Sequence, residues 1–403
     1  MMQRQRRAVV VGAGVIGATS AEMLMRTGHD VTIIDTETAP AQGASHGNAG
    51  QLCYPFAVAL GSPGFLRGMP RSLLDPDSGI GVSPWTVIKY WGWLVGFLRN
   101  CTDERYRRNS ERLLELAKLS ALAHERLLER HDVAFDARQT GKLWLAPTNA
   151  ALTTAASSLP LRRTAGFTIE VLSEGDCRKV APQLENARYK IAGGIYAPDS
   201  PVGDCQAFTS GLICRLRAQG LKVKFGVKVL NVRTSAGCVT GLQTTRGEVP
   251  ADLVVLATGL GAPDLIPRSW RPAIAPLRGI SVTLPAVQTA LEVSVTDPKR
   301  AVAICRLGSR LRVTGGAEFA PPGRPTERAV SRIINVARNW LPDAANYDAV
   351  ENRAWCGARP TTADSFPCIA QVGAKGLYVN SGHGSLGWTL AAGSAELLRQ
   401  QIM

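Results

Sequence analysis

The sequence has 403 residues, 45% of them hydrophobic, and a formal net charge of +14. That length suggests two or three domains, and the composition excludes a disordered chain because enough apolar side chain is present to bury a sizeable core. The basic balance favours anionic partners, yet no nucleic-acid motif accompanies it.

Arg4, Arg6 and Arg7 precede the apolar run Ala8 to Val11. Glycines interrupt this segment and no convincing cleavage site follows, so it reads as a strand and turn, not as a signal peptide. A helix then runs to about Thr27 and stops at Gly28, and Val31 to Ile34 is a second strand ending at Asp35. Ser45 to Gln51 reads as a loop or helix start. Residues from about 84 to 131 are expected to be helical. Within them, Arg105, Arg107, Arg108 and Arg112 alternate with glutamates, as on a solvated helix face. Strands are expected over Lys142 to Ala146 and Lys190 to Ala197, then a helix from Asp204 to Gln219. Strands near 221–233, 238–245 and 253–259 follow, then others near 276–284, 300–306 and 310–314, and a helix near 326–340. The chain closes with a strand at Leu377 to Asn380, a turn over Ser381 to Gly387 and a helix from Trp388. No apolar stretch approaches membrane-spanning length. The nine cysteines include no C-x-x-C pair, so neither a metal site nor a disulfide framework is expected, and free thiols in a reducing cytoplasm are the default.

Gly12-Ala13-Gly14-Val15-Ile16-Gly17 lies between the first strand and first helix. Such a turn suits a dinucleotide: Gly12 for the tight bend, Gly14 for backbone approach to pyrophosphate, Gly17 for close packing of helix on strand. The helix N-terminus offers free N–H groups to the phosphates. Asp35 is placed to accept hydrogen bonds from ribose hydroxyls and to repel a 2′-phosphate, which disfavours NADP. The pattern alone does not separate FAD from NAD. Gly382-His383-Gly384-Ser385-Leu386-Gly387 repeats it formally, but only 16 residues remain after it, where a second βαβ unit needs about 30. That turn is expected to be a helix N-terminus aimed at the electron-rich edge of an isoalloxazine.

These motifs, with Asn48-Ala49-Gly50-Gln51, Gly203-Asp204-Cys205-Gln206, Ala257-Thr258-Gly259, Gly357 to Asp364 and Ser381 to Thr389, resemble the D-amino acid dehydrogenase small subunit. That branch, with the hydroxy-D-proline dehydrogenases, lies within the D-amino acid oxidase and glycine oxidase superfamily, and the likeness runs the length of the chain. It implies an α/β fold: a Rossmann-like FAD-binding domain (residues 1–75, 195–265 and 351–403) and a discontinuous α+β substrate domain (76–194 and 266–350). It implies FAD contacts from Gly12, Gly14, Val15, Ile16, Gly17 and Asp35, and from Asn48, Ala49, Gly50, Gln51 and Val229. Further contacts are implied from Ala257, Thr258, Gly259 and Arg359, and from Gly382, His383, Gly384, Ser385, Leu386, Gly387, Trp388 and Thr389. Arg359 stands where relatives pair an arginine with the substrate carboxylate. Ser385 stands where some carry a second arginine. Relatives with covalent flavin use a cysteine at the position of Gly357, so the FAD is expected to be non-covalent.

The implied reaction is hydride transfer from the α-carbon of a D-amino acid or cyclic imino acid (D-proline or cis-4-hydroxy-D-proline-like) to flavin N5, with electrons passed to quinone or another acceptor. Arg359, His383 and Tyr54 are the catalytic candidates: a carboxylate clamp, a hydrogen-bonding or proton-tuning group, and a lid over the substrate. No metal site is expected. The aromatic and basic stretch Trp85, Lys89, Tyr90, Trp91, Trp93, Phe97 and Arg99 fits either a membrane surface or a core or subunit contact. The implied place is cytoplasmic, peripheral on the inner face of the cell membrane. The competing readings are an amino acid or N-alkyl amino acid oxidase using oxygen, a flavin-binding subunit of a heteromer, and an NAD-dependent dehydrogenase.

Overall fold

The computed structural model describes residues 6–287, 291–348 and 354–403. Arg4 and the expected domain boundary at 351 lie outside these residues. The first strand, Arg7–Val11, is buried on both faces, as a continuous apolar run requires. It pairs in parallel with Asp30–Ile34 on one side and Leu253–Leu256 on the other. Lys222–Lys224 and Leu377–Ser381 extend this sheet in parallel, and Cys368–Gln371 closes one edge antiparallel, making six strands. The sheet order reverses around Arg7–Val11, so the crevice beyond its C-terminal end is the expected ligand site for an open α/β sheet.

The helix Val15–Arg26 starts in that crevice and packs on the C-terminal helix Gly387–Ile402. The long helix Asp103–Arg130 packs on the other side of Gly387–Ile402, where Gly393 N donates to Ser120 Oγ at 3.0 Å. A Cβ on Gly393 would lie 2.7 Å from that of Ser120, so only glycine permits the approach. Chain position puts this helix in the second unit. Its packing joins it to the nucleotide layer.

A nine-stranded sheet forms the second layer. Its strands lie in the order Ala354–Thr362, Ile274–Pro285, Arg310–Phe319, Val302–Leu307, Ser294–Asp297, Lys142–Ala146, Gly193–Ala197 and Glu170–Ser173, and the ninth, Ile80–Val82, pairs with Arg310–Phe319. Its core includes Leu143, Val295, Ile304 and Val313, covered by Ile333 and Trp340 of the helix Glu327–Trp340. Ala354–Thr362 therefore belongs to this sheet by pairing, although the expected boundary gave it to the nucleotide unit. Gly193–Ala197 lies across the expected boundary at 195 and belongs to the second sheet as a whole.

The expected helical region 84–131 is three helices, Pro84–Lys89, Trp91–Asn100 and Asp103–Arg130. Tyr90 leaves helical geometry, and Thr102 starts the last helix afresh by accepting from Arg105 N. The four clustered arginines are all exposed, as on a solvated face. A helix not expected from the sequence, Pro63–Leu74, carries Pro70 in its interior, and none of its residues is buried.

Candidate active site

The glycine turn closes at the end of the first strand with Gly12 at φ +109°, a conformation open to glycine. A Cβ on Gly17 would lie 1.8 Å from Gly12 O, so the helix meets the strand only because no side chain intervenes. The Asp35 carboxylate accepts from Ala13 N at 2.5 Å and from Glu37 N at 2.9 Å. Asp35 thus ties the second strand to the turn. Ser45, which the motif did not identify, accepts from Val15 N at 3.1 Å.

A continuous cavity of about 680 Å³ runs from this turn to the C-terminal one. Val229 and Ala257 to Gly259 face it near the first turn, and His383 to Trp388 face it at the other end. The helix Gly387–Ile402 has no side-chain N-cap, which leaves first-turn N–H groups for a ligand. Gly17, Gly50, Gly382, Thr389 and Tyr54 do not face the cavity. Gly50 is held at φ +75° beside Cys305, Gly382 at φ +90° beside Thr362, and Thr389 accepts from Cys53 N.

Asn48 to Gln51 is clamped between the layers. Asn48 O accepts from Arg312 Nη1 at 2.8 Å, Ala49 O from the Cys305 thiol at 2.9 Å, and Gly50 O from Gly203 N at 2.8 Å. Asp204 anchors the clamp: its Oδ1 caps the helix Cys205–Ala218 while its Oδ2 accepts from Arg310 at 2.9 Å and faces Arg312. The Gly203-Asp204-Cys205-Gln206 motif is therefore a fastening for the loop over the cavity.

Arg359 faces the cavity from the strand Ala354–Thr362. The residue is half-buried, and desolvation of its guanidinium pulls its pKa down. It donates to Gly316 O at 3.0 Å, and no carboxylate among the described residues lies within ion-pair distance. Gly279 beneath it has no room for a Cβ, which would lie 2.3 Å from Nη2. His383 is buried, with Nε2 2.8 Å from Ser394 Oγ, and burial pushes its pKa down to about 3. A neutral imidazole so held is not a proton carrier near neutral pH. That corrects the proton-tuning part of its expected role.

Tyr54 is 7% exposed within the core between the first sheet and its helices. It does not cover the cavity, contrary to the expected lid. Its neighbours Cys53 and Phe56 face the cavity instead, with Lys142. Lys142 was not identified from sequence. It is 7% exposed, donates to Cys53 Sγ at 2.9 Å and lies 4.8 Å from the Phe56 ring centre.

Among the described residues, four buried polar atoms of the cavity lining have no partner: Gln51 Nε2, Thr258 Oγ1, Asn380 Oδ1 and Trp388 Nε1. Buried polar atoms are almost always satisfied, so these suit a polar ligand spread along the whole cavity. Residues 7–401 match the family model described as DAO, FAD dependent oxidoreductase. The chain belongs to that family. The orphaned polar atoms, the uncapped N-terminus of the C-terminal helix and the length of the cavity fit FAD, and the Gly12 turn and the Gly384 turn are where its ends would be held. Where Gly357 would carry a side chain, the Trp355 ring already lies 1.9 Å away.

A D-amino acid dehydrogenase from Cereibacter sphaeroides is 36% identical over 399 residues, covering 98% of this chain and 91% of that protein. One from Allorhizobium ampelinum is 35% identical over 97% of this chain and 93% of its own. Among solved structures, glycine oxidase from Bacillus cereus superposes with a TM-score of 0.74 at 20% identity, covering 99% of this chain and 95% of that one. L-proline dehydrogenase from P. horikoshii gives 0.73 at 16%, covering 100% and 94%. At those identities the structures establish the shared fold. The NAD-dependent alternative is set aside by the family.

Proposed function

We propose that this protein oxidises the α-carbon of a D-amino acid or cyclic imino acid and passes the electrons to an acceptor such as a quinone. The observation that carries this reading is Arg359, a half-buried guanidinium with a backbone partner and, among the described residues, no carboxylate in ion-pair range, facing the same cavity as the C-terminal glycine turn. A planar guanidinium binds a carboxylate through two parallel hydrogen bonds, which fixes the face of the α-carbon presented to the cofactor. The names of the relatives at 36% and 35% identity support the D configuration. Bound FAD supplies the two-electron acceptor. The substrate amine must be neutral when hydride leaves. Among the described residues the carboxylates facing the cavity, Asp35 and Glu37, both lie by the first glycine turn, which leaves solvent to take the amine's proton before oxidation.

The acceptor reading rests on a surface. Leu74 is 85% exposed, Trp85 68%, Ile88 70% and Trp91 62%, on or next to helices that also carry Arg67, Arg71, Lys89 and Arg99. Exposed apolar patches rimmed by basic side chains suit an interface with anionic lipid. Among the described residues no helix is long and apolar enough to cross a membrane. Peripheral attachment would bring the protein to lipid-soluble quinone.

The test is anaerobic mixing of the yellow holoenzyme with D-amino acids, D-proline and cis-4-hydroxy-D-proline, followed at the flavin absorbance. Bleaching, then quinone or dye reduction without peroxide, is expected. Stoichiometric peroxide in air would identify an oxidase, and the absence of bleaching with every substrate would identify a flavin-binding subunit without turnover of its own.

A further inference from the structure

The second sheet roofs the cavity across successive strands. Arg359, Gly279, Gly315, Ala303, Thr296 and Lys142 face it from six neighbouring strands in order. A cationic side chain therefore stands towards each side of the roof. Lys142 is more than nine-tenths buried, with its ammonium 2.9 Å from the Cys53 thiol and 4.8 Å from the Phe56 ring centre. Neither is an anion partner of the kind a buried ammonium needs, and among the described residues it forms no ion pair. Arg162, also buried, lies 5.0 Å from the same Phe56 ring and adds positive charge behind it. Gln51, whose buried Nε2 has no partner, lines the cavity nearby, and Thr296 Oγ1 lies 3.5 Å from Gln51 Oε1. Donors gather here, and among the described residues the carboxylates that line the cavity, Asp35 and Glu37, lie by the first glycine turn.

From this arrangement we infer that Lys142 is a specificity-determining residue that receives an acidic group on the substrate side chain, so the preferred substrates are dicarboxylic D-amino acids such as D-glutamate or D-aspartate. The assignment rests on the function proposed above. Arg359 takes the α-carboxylate and Lys142, with the Gln51 amide, takes the distal one. Charge balance supports the class. In the reactive form, with its amine neutral, a dicarboxylic amino acid carries two negative charges, which match the two cations of the roof. A neutral side chain leaves Lys142 buried without a counter-ion.

The experiment compares D-glutamate with D-glutamine and D-proline by anaerobic flavin bleaching of the holoenzyme, in the wild type, Lys142→Met and Lys142→Arg. Glutarate serves as a non-reacting dicarboxylate, read by its perturbation of the flavin spectrum. The wild type is expected to bind D-glutamate at least about tenfold more tightly than D-glutamine. Lys142→Met is expected to collapse that ratio towards one and to abolish the glutarate signal, and Lys142→Arg to retain part of both. Thermal unfolding with flavin retained checks that each variant is folded. A wild type that favours neutral side chains, or an unchanged ratio in Lys142→Met, overturns the assignment while leaving D-amino acid oxidation intact. So does equal weakening of all substrates in Lys142→Met, because Lys142 would then hold the α-carboxylate. Absence of bleaching by every D-amino acid removes the function on which the assignment rests.

Discussion

Replacing Arg359 by methionine separates binding from stability, because the two effects have opposite signs. In the folded protein Arg359 gives one hydrogen bond to Gly316 O and has no counter-ion among the described residues. Removing that bond costs about 1 kcal/mol. Removing a half-buried charge that has no counter-ion relieves part of its desolvation penalty, about enough to offset that bond when an apolar side chain fills the space. The ligand-free variant is therefore expected to melt at the wild-type temperature or above it. Substrate binding moves the other way. Truncating one partner of a buried, hydrogen-bonded charge pair costs roughly 3 kcal/mol, or about 150-fold in apparent affinity. Arg359→Lys keeps the charge and loses the paired geometry, so it should fall between the two. The assays are thermal unfolding of the yellow protein and the substrate dependence of anaerobic bleaching. A methionine variant that melts much lower while binding substrate as the wild type does would make Arg359 a structural residue and refute the clamp.

Asp35→Ala removes the acceptor for Ala13 N and Glu37 N, so FAD occupancy after gel filtration should drop; full occupancy would argue against any part for Asp35 in the turn. Gly17→Ala places a methyl group 1.8 Å from Gly12 O and is expected to destabilise the protein by about 3 kcal/mol, read as a lower denaturation midpoint. His383 and His124 have pKa values depressed by burial to about 3 and about 4, below the ordinary 6.5. The unfolded chain therefore takes up protons that the folded chain refuses, and these groups make stability fall as pH drops from 6.5 towards 4. Denaturation midpoints at pH 5 and 7 should show this slope, and His383→Asn should flatten it; a slope of unchanged steepness in His383→Asn would contradict the depressed value. Replacing Trp85, Ile88 and Trp91 together by serine should release the protein from anionic lipid vesicles in a flotation assay while the flavin is retained. Equal flotation of variant and wild type would remove this surface from the acceptor reading.

The parts legible in the sequence are those governed by local rules. The first glycine turn needs its residues because backbone must approach backbone, and Gly12 and Gly17 carry that requirement in their spacing. The apolar runs Ala8 to Val11 and Leu253 to Leu256 read as buried strands because both faces are covered. Asp204 was visible as part of a motif, but its work was not. Its ties to Arg310 and Arg312 join residues 106 and 108 positions apart, and nothing in a local pattern encodes such a pairing. Tyr54 lies near a loop that faces the cavity, yet a turn of backbone sends it into the core and leaves Cys53 and Phe56 outward. The helix Pro63–Leu74 escaped notice because Pro70 breaks its pattern and none of its residues is buried, Phe65 meeting the Phe97 ring edge-on.

Lys142 shows why the rest of the site could not be read in advance. In sequence it begins an ordinary strand, Lys142–Ala146, and a lysine at a strand end is expected to reach solvent. Its burial is decided by Ser294–Asp297, which pairs beside it from more than 150 positions away, and by Phe56, which packs beneath the ammonium. Burying a lysine without a carboxylate works against stability, as does leaving Arg359 unpaired. Two such costs facing one cavity share an explanation when the missing negative charges arrive with the substrate. On that argument the positive roof and the absence of acids near it among the described residues are one feature. An acidic residue placed there, for example Thr296→Asp, should stabilise the ligand-free protein and weaken binding of dicarboxylates. A variant that is less stable yet binds glutarate normally would dissolve the link between the two cations and the ligand.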